Sequence, residues 1–375
     1  MTDNQELVRV GGVGTGRIFQ HAHLRVYPKF IDRARLVGLY DVDPARAQQA
    51  RARYVTLLQE HATAHPEMAS LVQQNLATLR CYESLDELLE HVDVIDVATH
   101  ARGRMAIAIA ALQQGVHAMV EKPMALSVGD ADKMIAAAER ADRQLMVAQC
   151  IRFWPEYMFL RQAVREGTYG KLLSLNAYRI GGRPIWSWEN WFVDPARSGG
   201  TIVDLHIHDV DYVHSLLGVP DRVQAVARRT EVTGSYDVIH AAYTYEDGPQ
   251  VHLHAGWSMA QIPFQAGYDA WFERGFLRYD GKADPPLTVY DDLIHANGHP
   301  AEYEPGNAYY NEIAYFCQCV ERGEPPTHCL PESTRGSLAL VERAGLTGLR
   351  DDQKVTFDLE AGRDGRESAT NIALA

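Results

Sequence analysis

The feature that most constrains the fold is the regular alternation, from Leu7 to about Gln149, of short apolar runs with longer stretches of helix-forming residues. Leu7–Val13, Arg35–Tyr40, Val94–Ala98, His117–Val120 and Gln144–Ala148 are rich in β-branched and aliphatic residues, with little polar alternation. A strand with one face in water shows polar residues at every second position, so these runs predict strands covered on both faces. Between them stand segments rich in Ala, Leu and Gln, such as Met105–Gln114 and Asp130–Ala141. Strand, helix and strand in that rhythm predict βαβ units, hence an α/β domain with a doubly wound parallel sheet. The helical stretch between Ala45 and Arg80 is longer than a crossover requires and is interrupted at His65-Pro66, which predicts an inserted helical hairpin.

Beyond about residue 150 the texture changes. Leu172–Tyr178, Arg222–Arg228, Asp237–Tyr245 and Gln250–Trp257 alternate and are separated by Gly and Pro turns, as in an antiparallel sheet with one solvated face. Helices are expected near Asn307–Glu321 and Pro331–Thr347, and a polar tail without regular structure from Ala361. At 375 residues the chain exceeds what one core supports. The expected division is a nucleotide-binding domain over 1–149, an α+β domain with an open, largely antiparallel mixed sheet over 150–360, and the tail over 361–375.

A formal charge of -13, with acidic and basic residues interspersed, disfavours nucleic acid or an anionic membrane as partner. The five cysteines, with no C-x-x-C pair, lie in a chain too large to need a disulfide framework, which fits a reducing cytoplasm. The start of the chain lacks a signal-peptide pattern, and no run approaches the roughly 18 apolar residues of a membrane span. A small neutral or cationic substrate remains compatible with that charge.

The first strand runs into Gly11-Gly12-Val13-Gly14-Thr15-Gly16-Arg17-Ile18-Phe19. Glycines there let the backbone of Gly14, Thr15, Gly16, Arg17 and Ile18 approach a pyrophosphate at the start of the next helix. Phe19 stands where the third glycine of G-x-G-x-x-G would be. Asp41, directly after the second strand, can accept hydrogen bonds from a ribose diol, or can cap the helix that Pro44 opens. With no Arg or Lys following closely, Asp41 favours NAD over NADP. At the end of a later strand, Glu121-Lys122-Pro123 aims a lysine at the cleft outside the carboxyl ends of the strands. A solvated surface lysine is the competing reading.

Gly14-x-Gly16, Glu121-Lys122-Pro123, Asp194-Pro195-x-x-Ser198-Gly199-Gly200 and Asp204-x-x-x-His208-Asp209-x-Asp211, in this order and spacing, resemble the Gfo/Idh/MocA family of sugar and cyclitol dehydrogenases. The resemblance spans roughly residues 7 to 350. It implies a Rossmann domain that binds a nicotinamide cofactor, followed by an open-faced sheet domain that supplies substrate contacts and an oligomer interface. It also implies that Lys122, Asp204 and His208 carry the reaction, with Thr99, His100 and Glu121 beside the cofactor. Three positions depart from the family pattern: Phe19 at the third glycine, His100 where proline is usual, and His206 where glycine is usual.

On a regular helix Asp204 and His208, four residues apart, share a face. A neutral imidazole is an efficient acceptor of the hydroxyl proton when a carbinol carbon loses hydride, so His208 is the expected base, Asp204 its orienting partner and Lys122 the group that polarises the reacting oxygen. Arg152, Trp188 and His206 are the further expected substrate contacts; aromatic faces stack on the C–H faces of sugars, though Trp186, Trp188 and Trp191 suit a core or a dimer contact equally. His206, His208, Asp209, Asp211 and His214 together superficially resemble metal ligands, but His206 and His208 diverge by about 200° on a helix, so no metal is expected there. The expected activity is NAD-dependent oxidation of a ring carbon of a sugar or cyclitol. A redox-cycling glycosidase or epimerase with retained NAD, and a non-catalytic nucleotide or sugar sensor, are the competing readings.

Overall fold

The computed structural model describes residues 7–291, 298–344, 355–361 and 367–374. Its first sheet contains β1 (Val8–Val13), β2 (Ala34–Tyr40), β3 (Arg80–Cys81), β4 (Val94–Val97), β5 (His117–Glu121) and β6 (Leu145–Ala148). The strands are all parallel, in the order β3-β2-β1-β4-β5-β6. That order reverses direction beside β1, so a crevice opens at the carboxyl ends of β1 and β4, where doubly wound sheets bind nucleotides. The expected hairpin is present as α1 (Pro44–Ala64) and α2 (Ala69–Thr78), joined through a 3-10 turn at Pro66–Met68. Helices α3 (Leu85–Leu89), α4 (Ala101–Gln113) and α5 (Val128–Ala141) complete the crossovers.

The helix after β1 begins at Arg17 and winds as a π-turn over Phe19–His23. Phe19 is fully buried, and a Cβ added to Gly12 would meet its ring at 2.3 Å. The glycine that lets helix and strand approach has thus moved onto the strand, which is why an aromatic residue is accommodated at the third fingerprint position.

After α6 (Pro155–Glu166), the second sheet comprises β7 (Leu172–Gly182), β8 (Arg222–Arg229), β9 (Tyr236–Thr244), β10 (Gln250–Ser258), β11 (Gln265–Phe272), β12 (Gly275–Asp280), β13 (Leu287–Asp291) and β14 (His299–Pro300). Its order is β14-β13-β12-β11-β7-β10-β9-β8; β7 and β10 pair in parallel and the other neighbours are antiparallel. Between β7 and β8 lie α7 (Pro195–Ser198), a π-turn over Ile202–His206, and α8 (Ile207–Leu217). One face of the sheet packs on α6 and α8 through Leu175, Tyr157, Tyr212, Tyr268 and Tyr279. Helices α9 (Ala308–Arg322) and α10 (Pro331–Arg343) follow; the expected extension of the last helix to Thr347 lies outside the described residues. The tail expected to lack regular structure instead contains β16 (Glu367–Leu374), paired antiparallel with β15 (Val355–Ala361). No helix among the described residues is long and apolar enough to cross a membrane.

Candidate active site

The carboxyl ends of β1, β2, β4 and β5 supply one wall of the site. Gly14 has φ +83°, and a Cβ there would approach the Thr99 side chain to 2.5 Å and its backbone nitrogen to 3.0 Å, so glycine is required twice over. The Thr15 N–H donates to Asp41 Oδ2 at 2.8 Å and its hydroxyl donates to the same oxygen at 3.2 Å. The Asp43 N–H donates to Asp41 Oδ1 at 3.0 Å. Asp41 therefore fixes the glycine-rich turn from across the cleft. It is not the cap of α1, a position held by Asp43, which accepts from the Ala45 N–H.

A Cβ on Gly16 would meet nothing within 4 Å, so the turn opens on free space where a pyrophosphate fits. The Thr99 hydroxyl, buried beside it, has no partner. Both observations suit a bound nucleotide. One expectation fails: a basic residue does stand near Asp41. One helical turn into α1, Arg46 brings its guanidinium to 3.8 Å from Asp41 Oδ1 and 3.1 Å from Asp43 Oδ2.

The tryptophan-rich segment lies across this end of the cleft. Arg17 stacks over Trp186 at 4.8 Å, and Trp188 carries Arg46 on its ring at 4.4 Å and Arg197 at 5.4 Å. Trp191 stacks on Phe192 at 4.0 Å and lies 6.2 Å from the His100 ring. Trp188, expected at the substrate, therefore sits against Arg46, the neighbour of Asp41. His100 caps α4 by accepting from the Gly103 N–H at 3.2 Å while its ring faces Trp191. Burial, then Arg197, Arg104 and Arg102, push its pKa down.

At the end of β5, Lys122 Nζ donates to the Asp204 carbonyl at 2.8 Å and lies 3.2 Å from Asp204 Oδ1. The two regions of the chain meet at this pair. The Lys122–Pro123 peptide is cis. Arg104, fully buried on α4, donates to the Pro123 carbonyl and, at 2.5 Å, to the Thr99 carbonyl, so it ties together the two strand ends that flank the cleft. Burial lowers its pKa to about 10 against the opposing pull of Glu121 and Asp204. Sequence reasoning missed Arg104, whose one signal was a cation on the buried side of an alanine-rich helix.

His208 is half-buried, with Nδ1 free of any partner. Burial, then the charges of Lys122 and Arg179, hold its pKa well below the usual histidine value. Burial raises that of Asp204, opposed by Lys122 and Arg104. No hydrogen bond joins Asp204 to His208, contrary to expectation. Residues 202–206 wind as a π-turn, and the Asp204 side chain is turned to Lys122 instead.

Two expected substrate contacts are not brought to this centre. Arg152 is buried and grips Asp211 through Nε at 2.7 Å and Nη2 at 2.6 Å, and it also donates to the His328 carbonyl and Ser333 Oγ. His206 is buried, its pKa lowered to about 4 by burial; its charged neighbours are Asp209 and His254. No hydrogen bond or ion pair links it to Lys122, Asp204 or His208 among the described residues. The histidine-rich motif is likewise dispersed as a metal centre, since Asp209 pairs with Arg179, Asp211 with Arg152, and His214 Nδ1 with Ser333 and Ser337.

Comparison with known proteins finds likeness in both regions of the chain. Residues 8–149 match the model of an oxidoreductase family with an NAD-binding Rossmann fold, and residues 157–277 match the GFO/IDH/MocA C-terminal domain. The chain is 28% identical to a D-apiose dehydrogenase of Paraburkholderia graminis over 63% of this chain and 57% of that protein. To a myo-inositol 2-dehydrogenase of Thermotoga maritima it is 28% identical over 85% of this chain and 90% of that one. The solved structure of the UDP-N-acetylglucosamine 3-dehydrogenase of Acidithiobacillus ferrooxidans superposes with a TM-score of 0.69 at 23% identity, covering 90% of this chain and 97% of that one, and shows the shared fold.

Proposed function

The chain belongs to the Gfo/Idh/MocA oxidoreductase family, and on that premise we propose that it is a dehydrogenase moving a hydride between a nicotinamide cofactor and a ring carbon of a sugar or cyclitol. The observation that carries this reading is the meeting of Lys122, from the first sheet, with Asp204 at the mouth of the nucleotide crevice, with His208 on the following turn. Bound in the crevice, the nicotinamide supplies the hydride acceptor. The turn from Gly14 to Ile18, with Asp41 behind it, holds the pyrophosphate and ribose, and Thr99 and the Glu121-Lys122 strand end border the nicotinamide.

In the oxidative direction Lys122 donates to the reacting hydroxyl oxygen and stabilises alkoxide character, while Asp204 keeps the ammonium in place. His208 takes the hydroxyl proton. It is fit for that because burial and two neighbouring cations keep its imidazole neutral. Asp41 repels a 2′-phosphate and Arg46 is already engaged by Asp41, Asp43 and Trp188, so NAD is the preferred cofactor. We also read the open face of the second sheet, where Leu173, Val226 and Trp271 are exposed, as the contact between copies of the chain, with a division between domains near residue 150. All five cysteines are free thiols, in keeping with the cytoplasm.

The test is a panel of pyranoses and inositols assayed for NAD and NADP reduction at the nicotinamide absorbance band, with Lys122→Met as control. Reduction by some member of the panel that Lys122→Met lowers at least about a hundredfold is expected; undiminished turnover in that variant overturns the assignment. The tryptophan segment across the crevice favours one alternative, a redox-neutral glycosidase or epimerase that retains its NAD. Product formation without net NADH release would select it.

A further inference from the structure

We propose that His23, Glu121 and Glu312 form a binding site for one divalent transition-metal ion, zinc or manganese, that clamps α9 to the strand end bearing Lys122. One donor atom from each of the three residues lies within 4.8 Å of the others, and all three side chains are buried. The site lies behind the strand end that borders the cleft, with Glu121 belonging to both, and shares no residue with the histidine-rich motif.

His23 leaves the π-turn with Nδ1 2.9 Å from Asp96 Oδ2, and the Tyr27 hydroxyl donates to the same carboxylate oxygen at 2.7 Å. A carboxylate holding one imidazole nitrogen fixes the tautomer and leaves the other nitrogen as a metal donor, the arrangement found behind most metal-binding histidines. His23 Nε2 faces Glu121 Oε1 at 3.0 Å. The second oxygen of Glu121 accepts the Lys122 N–H at 3.0 Å, so an ion at Oε1 would anchor the backbone from which the lysine projects.

The observation that points to a ligand is Glu312. Its side chain is 0% exposed, yet neither carboxylate oxygen has a hydrogen-bond partner. A buried carboxyl group without a partner is expensive and calls for an unseen ion, water or proton. The wider charge balance favours an ion. Asp96, Glu121 and Glu312 place three carboxyl groups around one imidazole, with Lys122 and Arg104 offsetting only the Glu121 side. A divalent cation bound to His23 and to the two glutamates offsets the charges of those two carboxylates and leaves Asp96 to the imidazole nitrogen it already holds. One imidazole with two carboxylates suits zinc or manganese better than the all-oxygen shells preferred by calcium and magnesium. Tetrahedral bonds of about 2.0–2.2 Å place donors about 3.4 Å apart, so the most distant donors draw in by up to about 1.4 Å, which takes a change of glutamate rotamer. With all three ligands buried, the ion would enter as the chain folds.

The full chain, produced without an affinity tag or chelator in medium supplied with zinc and manganese, is analysed for metals beside Glu312→Gln, which preserves size and removes the charge. About one ion per chain is expected in the wild type and none in the variant. Wild type unfolded and refolded with one equivalent of Zn²⁺ or Mn²⁺ should melt higher than wild type refolded in chelator, and Glu312→Gln should show no such difference. A wild type that holds no stoichiometric metal and does not respond to added ion overturns the proposal, and a Glu312→Gln variant at least as stable would then show that a proton fills the place. Metal retained undiminished in Glu312→Gln also overturns it, because the ion would be bound elsewhere.

Discussion

Replacing Arg152 by methionine separates a structural role from a substrate contact, because the two predict opposite losses. Arg152 and Asp211 are almost wholly buried, joined by two short hydrogen bonds, and Asp211 also accepts from Ser337 Oγ at 2.9 Å. Methionine fills the volume of the arginine stem, so the loss is electrostatic. The Asp211 carboxylate stays buried without its counter-ion, and breaking such a pair from one side costs about 3–5 kcal/mol. At about 2.1 cal/mol/K of unfolding entropy per residue, a chain of 375 residues shifts its midpoint by only about 1.3 °C per kcal/mol, so Tm should fall by about 4–6 °C. Thermal and urea unfolding followed by circular dichroism measure this, with KM determined at a temperature where the variant is folded. KM should stay near the wild-type value, and Arg152→Met/Asp211→Leu should regain most of the stability because both charges are gone. A single variant with unchanged Tm and a raised KM would refute the reasoning and return Arg152 to the substrate.

Removing the ammonium in Lys122→Met should lower kcat/KM by roughly 10²–10³. Because burial, Lys122 and Arg179 depress the His208 pKa, the base form persists below pH 6.5, and the acid limb of kcat/KM should fall below that point. In Lys122→Met one depressing charge is gone, so the residual activity should show that limb moved upward; a limb unchanged in position would separate His208 from the reaction. Asp41→Ser should weaken NAD and improve NADP use, since the carboxylate that repels a 2′-phosphate is gone and only Asp43 then competes for Arg46; specificity ratios for the two cofactors measure it. Gly14→Ala should abolish nucleotide binding in titrations followed by nicotinamide fluorescence, given the 2.5 Å approach to Thr99 and the positive φ.

The first sheet was legible because burial on both faces leaves continuous apolar runs, and the helical hairpin because its length and its His65-Pro66 break are local facts. Strands β11 to β14 were not. Gln265–Phe272 mixes Gly, Ala and Asp with aromatics, and its register comes from pairing with β7, a hundred residues earlier along the chain. The displaced glycine could have been read: Gly11-Gly12 on the strand is the counterpart of Phe19 on the helix. The π-turn at 202–206 could not, since one extra residue in a turn leaves no pattern of its own, and neither could the turning of the Asp204 side chain to Lys122.

The errors at the site share one cause. A side chain's type announces what it can do, but its partner decides what it does, and the partners here are remote. Arg152 reads as a ligand contact until Asp211, 59 residues on, takes both arms of the guanidinium. Lys122 reads as a surface lysine until Asp204, 82 residues on, meets it. His208 would be half-charged near neutral pH in water, and becomes a usable base because Lys122 and Arg179, from two other elements, add their positive charge to the effect of burial. The segment 183–193 makes the same point for recognition: its tryptophans suggested a sugar platform, yet Arg17 and Arg46 on the nucleotide side are what their rings meet. On the proposed assignment, substitutions at Trp186 and Trp188 should alter the affinity for the cofactor before that for the sugar, and those at Lys122, Asp204 and His208 the reverse.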